Sequence, residues 1–240
     1  MTKNWQERAE LLFKKEGIIK LKNANVLVVG MGGVGSFAAE FLVRAGIGKI
    51  TIVDGDVVDI TNINRQLPAL HSTIGVSKVQ LMAARLLDIN PDLQLTVIEE
   101  FLSPSRAYEI VTHDYQFVVD CIDSITPKLN LILAAKHKKI KVISNMGAGG
   151  KNLTHMVKIT DISKTDYCPL AKTIRKRLKK EGISSGVKVV YSYERPDETS
   201  LKMTDGTNFK KSFYGTNSWM PALFGLYAAQ YVVTTLLKKL

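Results

Sequence analysis

The run Val26-Leu27-Val28-Val29-Gly30-Met31-Gly32-Gly33-Val34-Gly35 limits what this chain can fold into more than any other stretch. An aliphatic, β-branched segment stops at a glycine, further glycines follow at the G-x-G-x-x-G spacing, and a helical pattern begins. That order is a first strand and helix built around a phosphate. Gly30 permits the tight turn, Gly32 lets the anion approach the backbone, and Gly35 lets the helix lie close to its strand. The helix N-terminus then offers unpaired N–H groups and the positive end of its dipole. A second apolar run, Ile50-Thr51-Ile52-Val53, ends in Asp54, near the separation at which an acidic residue takes up a ribose hydroxyl. These features predict a nucleotide site that includes Gly30, Gly32, Gly33, Gly35 and Asp54. Which nucleotide it takes, and for what chemistry, stays open at this point.

Apolar runs and helical patterns go on alternating downstream. Helices are expected over 5–21, 34–45, 77–89, 103–113 and 125–137, and strands over 95–98, 117–120 and 140–144. Asn90-Pro91 closes the third helix, and Pro127 suits the first turn of the fifth. Near-continuous apolar strands alternating with helices predict an α/β fold, a Rossmann-like, doubly wound and mostly parallel sheet. The alternation ends at Gly147-Ala148-Gly149-Gly150. Beyond it come strands near 156–159 and 187–193, a basic helix over 166–181, a polar loop over 194–211 and an apolar helix from Trp219. No linker-like stretch interrupts the chain. Residues 1–240 are therefore expected to form one domain, with a nucleotide-binding core over 1–150 and a C-terminal elaboration over 151–240 on the substrate side.

Composition narrows the class. Two cysteines in 240 residues, Cys121 and Cys168, give neither a disulfide framework nor paired C-x-x-C zinc ligands. Residues 1–17 are polar and charged, without the apolar centre of a signal peptide, which predicts a cytoplasmic location. The last helix is free of charge between Lys211 and Lys238, long enough to span a bilayer. Pro221, Gly225, Gln230 and Thr234-Thr235 argue instead for a buried core or dimer-interface helix, so no membrane span is expected. The formal charge of +11 is unusual. Lys172, Arg175, Lys176, Arg177, Lys179 and Lys180 crowd one helix, too many for an apolar seam to hide. Most must face water, where they form either a solvated face or, as the clustering favours, a contact with nucleic acid.

Three polar constellations fall just after strands, where doubly wound sheets bind ligands. They are Asp54 with Asp56, then Asn62, Asn64, Arg65 and Gln66 followed by Lys78, and last Asp120-Cys121-Ile122-Asp123. An arginine and a lysine aimed at a polyphosphate, with carboxylates able to hold Mg²⁺, are the needs of adenylate transfer. Hydride transfer needs none of that cationic equipment.

These motifs resemble the ThiF/MoeB/HesA group, relatives of the adenylating domain of ubiquitin-activating enzymes. Val29-Gly30-Met31-Gly32-Gly33-Val34-Gly35, Arg44-Ala45-Gly46-Ile47-Gly48, Asp54-Gly55-Asp56, Asn62-Ile63-Asn64-Arg65-Gln66 and Asp120-Cys121-Ile122-Asp123 carry the likeness, which covers most of the chain. It implies that Asp54 holds the ribose, that Asn62 contacts the nucleotide, that Arg65 and Lys78 hold phosphates, and that Asp123 serves Mg²⁺–ATP. It also implies a homodimer in which an arginine, here Arg8, reaches the partner's γ-phosphate, and a sulfur-relay protein as a further partner. Gln66-Leu67-Pro68-Ala69-Leu70-His71, Gly147-Ala148-Gly149-Gly150 and Met220-Pro221-Ala222 look like the tRNA-modifying branch of the group. That branch uses ATP to close the threonyl carboxylate of threonylcarbamoyladenosine into a ring. The carboxylate is first joined to AMP, and the carbamoyl nitrogen of the same side chain then displaces AMP. A tethered nucleophile reaches an effective molarity on the order of 10⁵ M or more, so no enzyme thioester is required.

Rival readings predict different equipment. An activator of a ubiquitin-like or sulfur-carrier protein would make use of a thiol such as Cys168, which could be exposed and reactive at the start of the basic helix; with no histidine or other base near it in sequence, it is expected to be a non-catalytic thiol. Cys121, inside the aspartate motif, is expected to be packing. An NAD-dependent oxidoreductase leaves Arg65, Lys78 and Asp123 idle, and a non-catalytic RNA-binding module wastes the nucleotide site.

Overall fold

Strands that read as unbroken apolar runs need cover on both faces. That requirement is met in the computed structural model, which describes residues 4–204 and 212–238. Strands β1 (Asn25–Val29), β2 (Lys49–Val53) and β4 (Phe117–Asp120) are buried along nearly their whole length. With β3 (Gln94–Ile98), β5 (Lys141–Asn145), β6 (Val157–Asp161) and β7 (Lys188–Ser192) they form a seven-stranded sheet in the order β3-β2-β1-β4-β5-β7-β6. All neighbours are parallel except β6, which runs antiparallel to β7 at the edge. From β1 the chain winds outward to β3 and then returns to β4. Strand order therefore reverses between β1 and β4, and a crevice opens at their C-terminal ends.

Two apolar layers cover the sheet. One gathers α1 (Glu7–Asn23), α2 (Gly35–Arg44), α3 (Lys78–Ile89) and α7 (Trp219–Leu237); the other gathers α4 (Pro104–Ile110), α5 (Ile125–His137) and α6 (Pro169–Lys180). The terminal helix is a core helix. Met220, Phe224, Ala228 and Val232 are fully buried. A Cβ on Gly225 would stand 2.4 Å from the Val34 carbonyl, so α7 lies directly on the start of α2. By length and composition α7 is also the one helix among the described residues apolar enough to cross a membrane.

Local departures from expectation have local causes. Lys14 at φ 62° breaks α1 into two helical pieces. The fourth helix stops at Ile110 instead of running to 113, although Ser103 caps it as anticipated by accepting from Arg106 N. The basic helix begins at Pro169, not at 166, because Thr165 and Cys168 are extended before it. Part of the loop expected over 194–211 is the strand β8 (Leu201–Met203), which pairs antiparallel with β9 (Ser212–Tyr214). Residues 205–211 of that loop lie outside the described residues.

Candidate active site

Strands β1 and β4 are neighbours, so residues 30–35 and 121–124 leave the sheet side by side. Gly30 turns at φ +92°, a region glycine enters without steric cost. A Cβ on Gly35 would lie 1.6 Å from the Gly30 carbonyl, and one on Gly33 would press on Arg65 O and Pro221 at 3.1 Å. Gly32 differs. A Cβ there meets nothing nearer than the Gln66 amide at 3.7 Å, so the protein's own packing does not demand glycine. A ligand brought against the backbone would. The Gln66 Oε1 is buried and accepts no hydrogen bond, an isolation costing about 1–3 kcal/mol unless a ligand donor relieves it.

Asp54 closes this loop from the second strand. Its carboxylate accepts from Met31 N at 2.6 Å and from Asp56 N at 2.8 Å, leaving each oxygen a further lone pair. Burial pushes its pKa up, and the two N–H donors with the Lys78 charge only partly offset that rise. Lys78 opens α3 and is 4% exposed; its ammonium lies 3.0 Å from Asp56 Oδ2. Between them runs a short 3-10 turn, Ile60–Asn62. Asn62, also buried, accepts from Asp59 N while Asp59 accepts from Thr61 N, a reciprocal cap that fixes the turn. Arg65 follows, half-buried, with its Nη1 donating to Thr61 O and Asn64 Oδ1, both at 2.8 Å. Burial lowers its pKa, and the charge of Asp123 opposes that shift across the crevice. Asn64 ties the segment to the start of the C-terminal helix through Thr216 O at 2.8 Å.

Gly30, Gly32, Gly33, Gly35, Asp54, Asp56, Asn62, Arg65, Gln66, Lys78 and Asp123 thus meet at the C-terminal ends of the central strands. Arg8 does not join them. It is exposed on the first turn of α1, and its neighbour Gln6 stands against Gly46 ahead of β2, at the opposite end of the sheet. On α6, Lys172, Lys176, Arg177, Lys179 and Lys180 are exposed, as anticipated. Arg175 is not part of that face: half-buried, it donates through Nη1 to the Thr165 carbonyl at 2.7 Å and to its hydroxyl. Cys168 lacks the exposure that a reactive thiol would need. It is 4% exposed, because its extended backbone turns the thiol toward Gly147. Cys121 packs on the core as expected, and burial pushes its thiol pKa up.

A buried ion pair behind Asp123 was missed by sequence reasoning. Lys128, with no exposed surface, places its ammonium 2.6 Å from Asp120 Oδ2, 2.8 Å from Asn145 O and 3.2 Å from Ser144 Oγ. The other Asp120 oxygen accepts from Ile122 N at 3.0 Å. This network pins the first turn of α5 to the ends of β4 and β5, and so sets the loop that carries Asp123. The sequence carried no local signal of it, since a lysine after Ile125-Thr126-Pro127 suits an exposed helix start as well.

A glycine loop at the switch point, a buried carboxylate at the end of β2 and two cations beyond it are the equipment of a nucleotide-binding protein of the adenylating kind. The chain belongs to the ThiF family, whose model matches residues 6–239. It is similar to the tRNA threonylcarbamoyladenosine dehydratase of Bacillus subtilis, with 42% identity across 96% of this chain and 94% of that protein. The Haemophilus influenzae protein of the same name is 36% identical, over 95% and 91%. Among solved structures, E. coli tRNA N6-threonylcarbamoyladenosine dehydratase in complex with ATP superposes with a TM-score of 0.88 at 34% identity, covering 98% of this chain and 96% of that one.

Proposed function

We propose that this chain uses ATP to adenylate the threonyl carboxylate of threonylcarbamoyladenosine in tRNA, releasing pyrophosphate. The carbamoyl nitrogen of the same side chain then displaces AMP, and the nucleoside has lost one water. The observation that carries this function is the convergence of Arg65 and Lys78 on the phosphate loop, opposite Asp123. The likeness to dehydratases over nearly the full length of both chains supports the choice of substrate.

Each residue has a distinct part. Asp54 accepts from the ribose, and the N–H groups at the start of α2 face the phosphates. Arg65 and Lys78 offset the charge that grows on the polyphosphate as the carboxylate attacks. Lys78 must exchange its contact with Asp56 for one with ATP. Among the described residues no group of three or more metal-ligating side chains occurs. That fits Mg²⁺ arriving with ATP, which takes most of its ligands from phosphate and water and needs one or two carboxylates. Asp123 is the residue we assign to it, and the ion when bound neutralises phosphate charge. Neither thiol suits a thioester role, since Cys168 is buried and burial disfavours the Cys121 thiolate. We further propose a cytoplasmic homodimer in which Arg8 serves the partner's phosphates, with a sulfur-relay protein as an additional partner.

The exposed cations of α6 are assigned to the RNA backbone. Lys172→Gln, Lys176→Gln and Lys179→Gln together are expected to weaken tRNA binding and to flatten its salt slope by roughly 2–3. Filter binding at several salt concentrations checks this, and an unaltered slope would assign these lysines to plain solvation.

The deciding experiment compares AMP release from ATP with tRNA carrying threonylcarbamoyladenosine and with the same tRNA lacking it, nucleoside mass being followed in parallel. AMP formed with the modified tRNA alone, with loss of one water, is the expected result. AMP without a nucleoside change would redirect the site to the C-terminus of a carrier protein.

A further inference from the structure

Beyond the nucleotide crevice, two tyrosines are held at the surface with a cation on one face. The Arg195 guanidinium lies 4.7 Å from the ring centroid of Tyr167, and Lys158 Nζ lies 4.6 Å from that of Tyr193. The two residues are nevertheless 56% and 37% exposed. A tyrosine serving the core would be covered; these are propped open. Tyr167 keeps its place in the left-handed region, φ 52°, one residue before the buried Cys168.

Position gives the rings a use. Cys168 packs on Gly147, just past the end of β5, and Tyr193 follows Ser192 at the end of β7. Strands β5 and β7 are parallel neighbours, so both tyrosines stand at the C-terminal end of the sheet, the end that holds the nucleotide site. Helix α6 starts two residues after Tyr167 and carries its exposed lysines away from there. Aromatic faces at the head of a cationic track are the means by which proteins hold unpaired bases, stacking on the ring while charge follows the backbone. Sequence-tolerant recognition of single-stranded loops in RNA works in this way.

We propose that Tyr167 and Tyr193, each backed by its cation, are a stacking platform for unpaired bases flanking the reacting nucleotide, a role that rests on the tRNA substrate proposed above. Both would be positioning residues, acting on RNA placement and not on the adenylated atoms.

The test uses the full chain and a stem-loop RNA with 2-aminopurine placed in its unpaired loop. Wild type is expected to bind it and quench the fluorophore. Tyr167→Ala should weaken binding roughly tenfold, with loss of quenching and no change in salt slope. Tyr167→Phe should restore both, since it keeps the ring, and thermal melting of each variant reports on folding. With modified tRNA, Tyr167→Ala should raise KM far more than it lowers kcat. Wild-type affinity and quenching in both Tyr167→Ala and Tyr193→Ala would overturn the platform, as would a Phe variant no better than Ala. If those variants bind normally while wild type dehydrates modified tRNA, the platform fails and the tRNA function stands. If wild type binds and quenches the stem-loop through Tyr167 yet releases AMP with a carrier protein instead, base stacking on the ring stands, but the tRNA function fails and with it the platform's place beside a reacting nucleotide.

Discussion

Lys128→Met is expected to lower stability by about 3–5 kcal/mol, because it strips the counter-charge from a carboxylate that has no exposed surface. In a chain of this size that corresponds to a fall in Tm of roughly 6–20 °C. The three ammonium donors of Lys128 all have acceptors, and Asp120 receives from Ile122 N and Ser144 Oγ as well. Removing one partner orphans the whole set. Asp120→Asn should cost a comparable amount, and the double variant less than the sum of the two, since the second change deletes a charge already unpaired. Denaturant unfolding of the three variants measures this coupling. Additive losses would mean that each group is held by separate contacts.

Arg65→Ala is expected to reduce AMP formation roughly 10²–10³-fold, the usual loss when one preorganised electrostatic contact to a developing charge is removed. Arg65→Lys should rescue it poorly. The guanidinium spends Nη1 on Thr61 and Asn64, and in the proposed site its remaining N–H groups would go to phosphate, a division that a single ammonium cannot copy. Asp123→Ala should lower adenylation by a similar factor, while both variants keep tRNA affinity near that of wild type. Pyrophosphate exchange and RNA binding, measured on the same preparations, separate the two effects. Lost RNA binding with intact exchange would reverse the assignment of the two regions.

Much of the fold was legible because its determinants are local. Gly30 and Gly35 announce themselves by spacing, since a tight turn and a close helix need glycine whatever surrounds them. The helix at Ile125–His137 and the strand at Phe117–Asp120 were readable to the residue from apolar runs bounded by polar ones. The crevice residues were legible as a group because each follows a strand end. What escaped depends on neighbours distant in the chain. Nothing near Arg175 says that Thr165 will take up its guanidinium, and nothing near Cys168 says that the Gly147 turn will cover it. Lys128 reads as an ordinary helical lysine until β4 and β5 bring Asp120 and Ser144 beneath it. The antiparallel β6 follows from how the chain returns after β5, which periodicity does not encode.

The seating of Gly225 against the Val34 carbonyl bears on the order in which the molecule comes into being. Residues that shape the phosphate loop are made early in synthesis, but the wall pressed on Gly33 is Pro221, and the strap holding Asn64 is Thr216. A nascent chain that has emerged only as far as β7 has its crevice strands but lacks the element that covers the start of α2. Nucleotide capture should then lag behind sheet formation until α7 clears the ribosome, and ATP would act as a ligand of the assembled fold, not as a template for folding it.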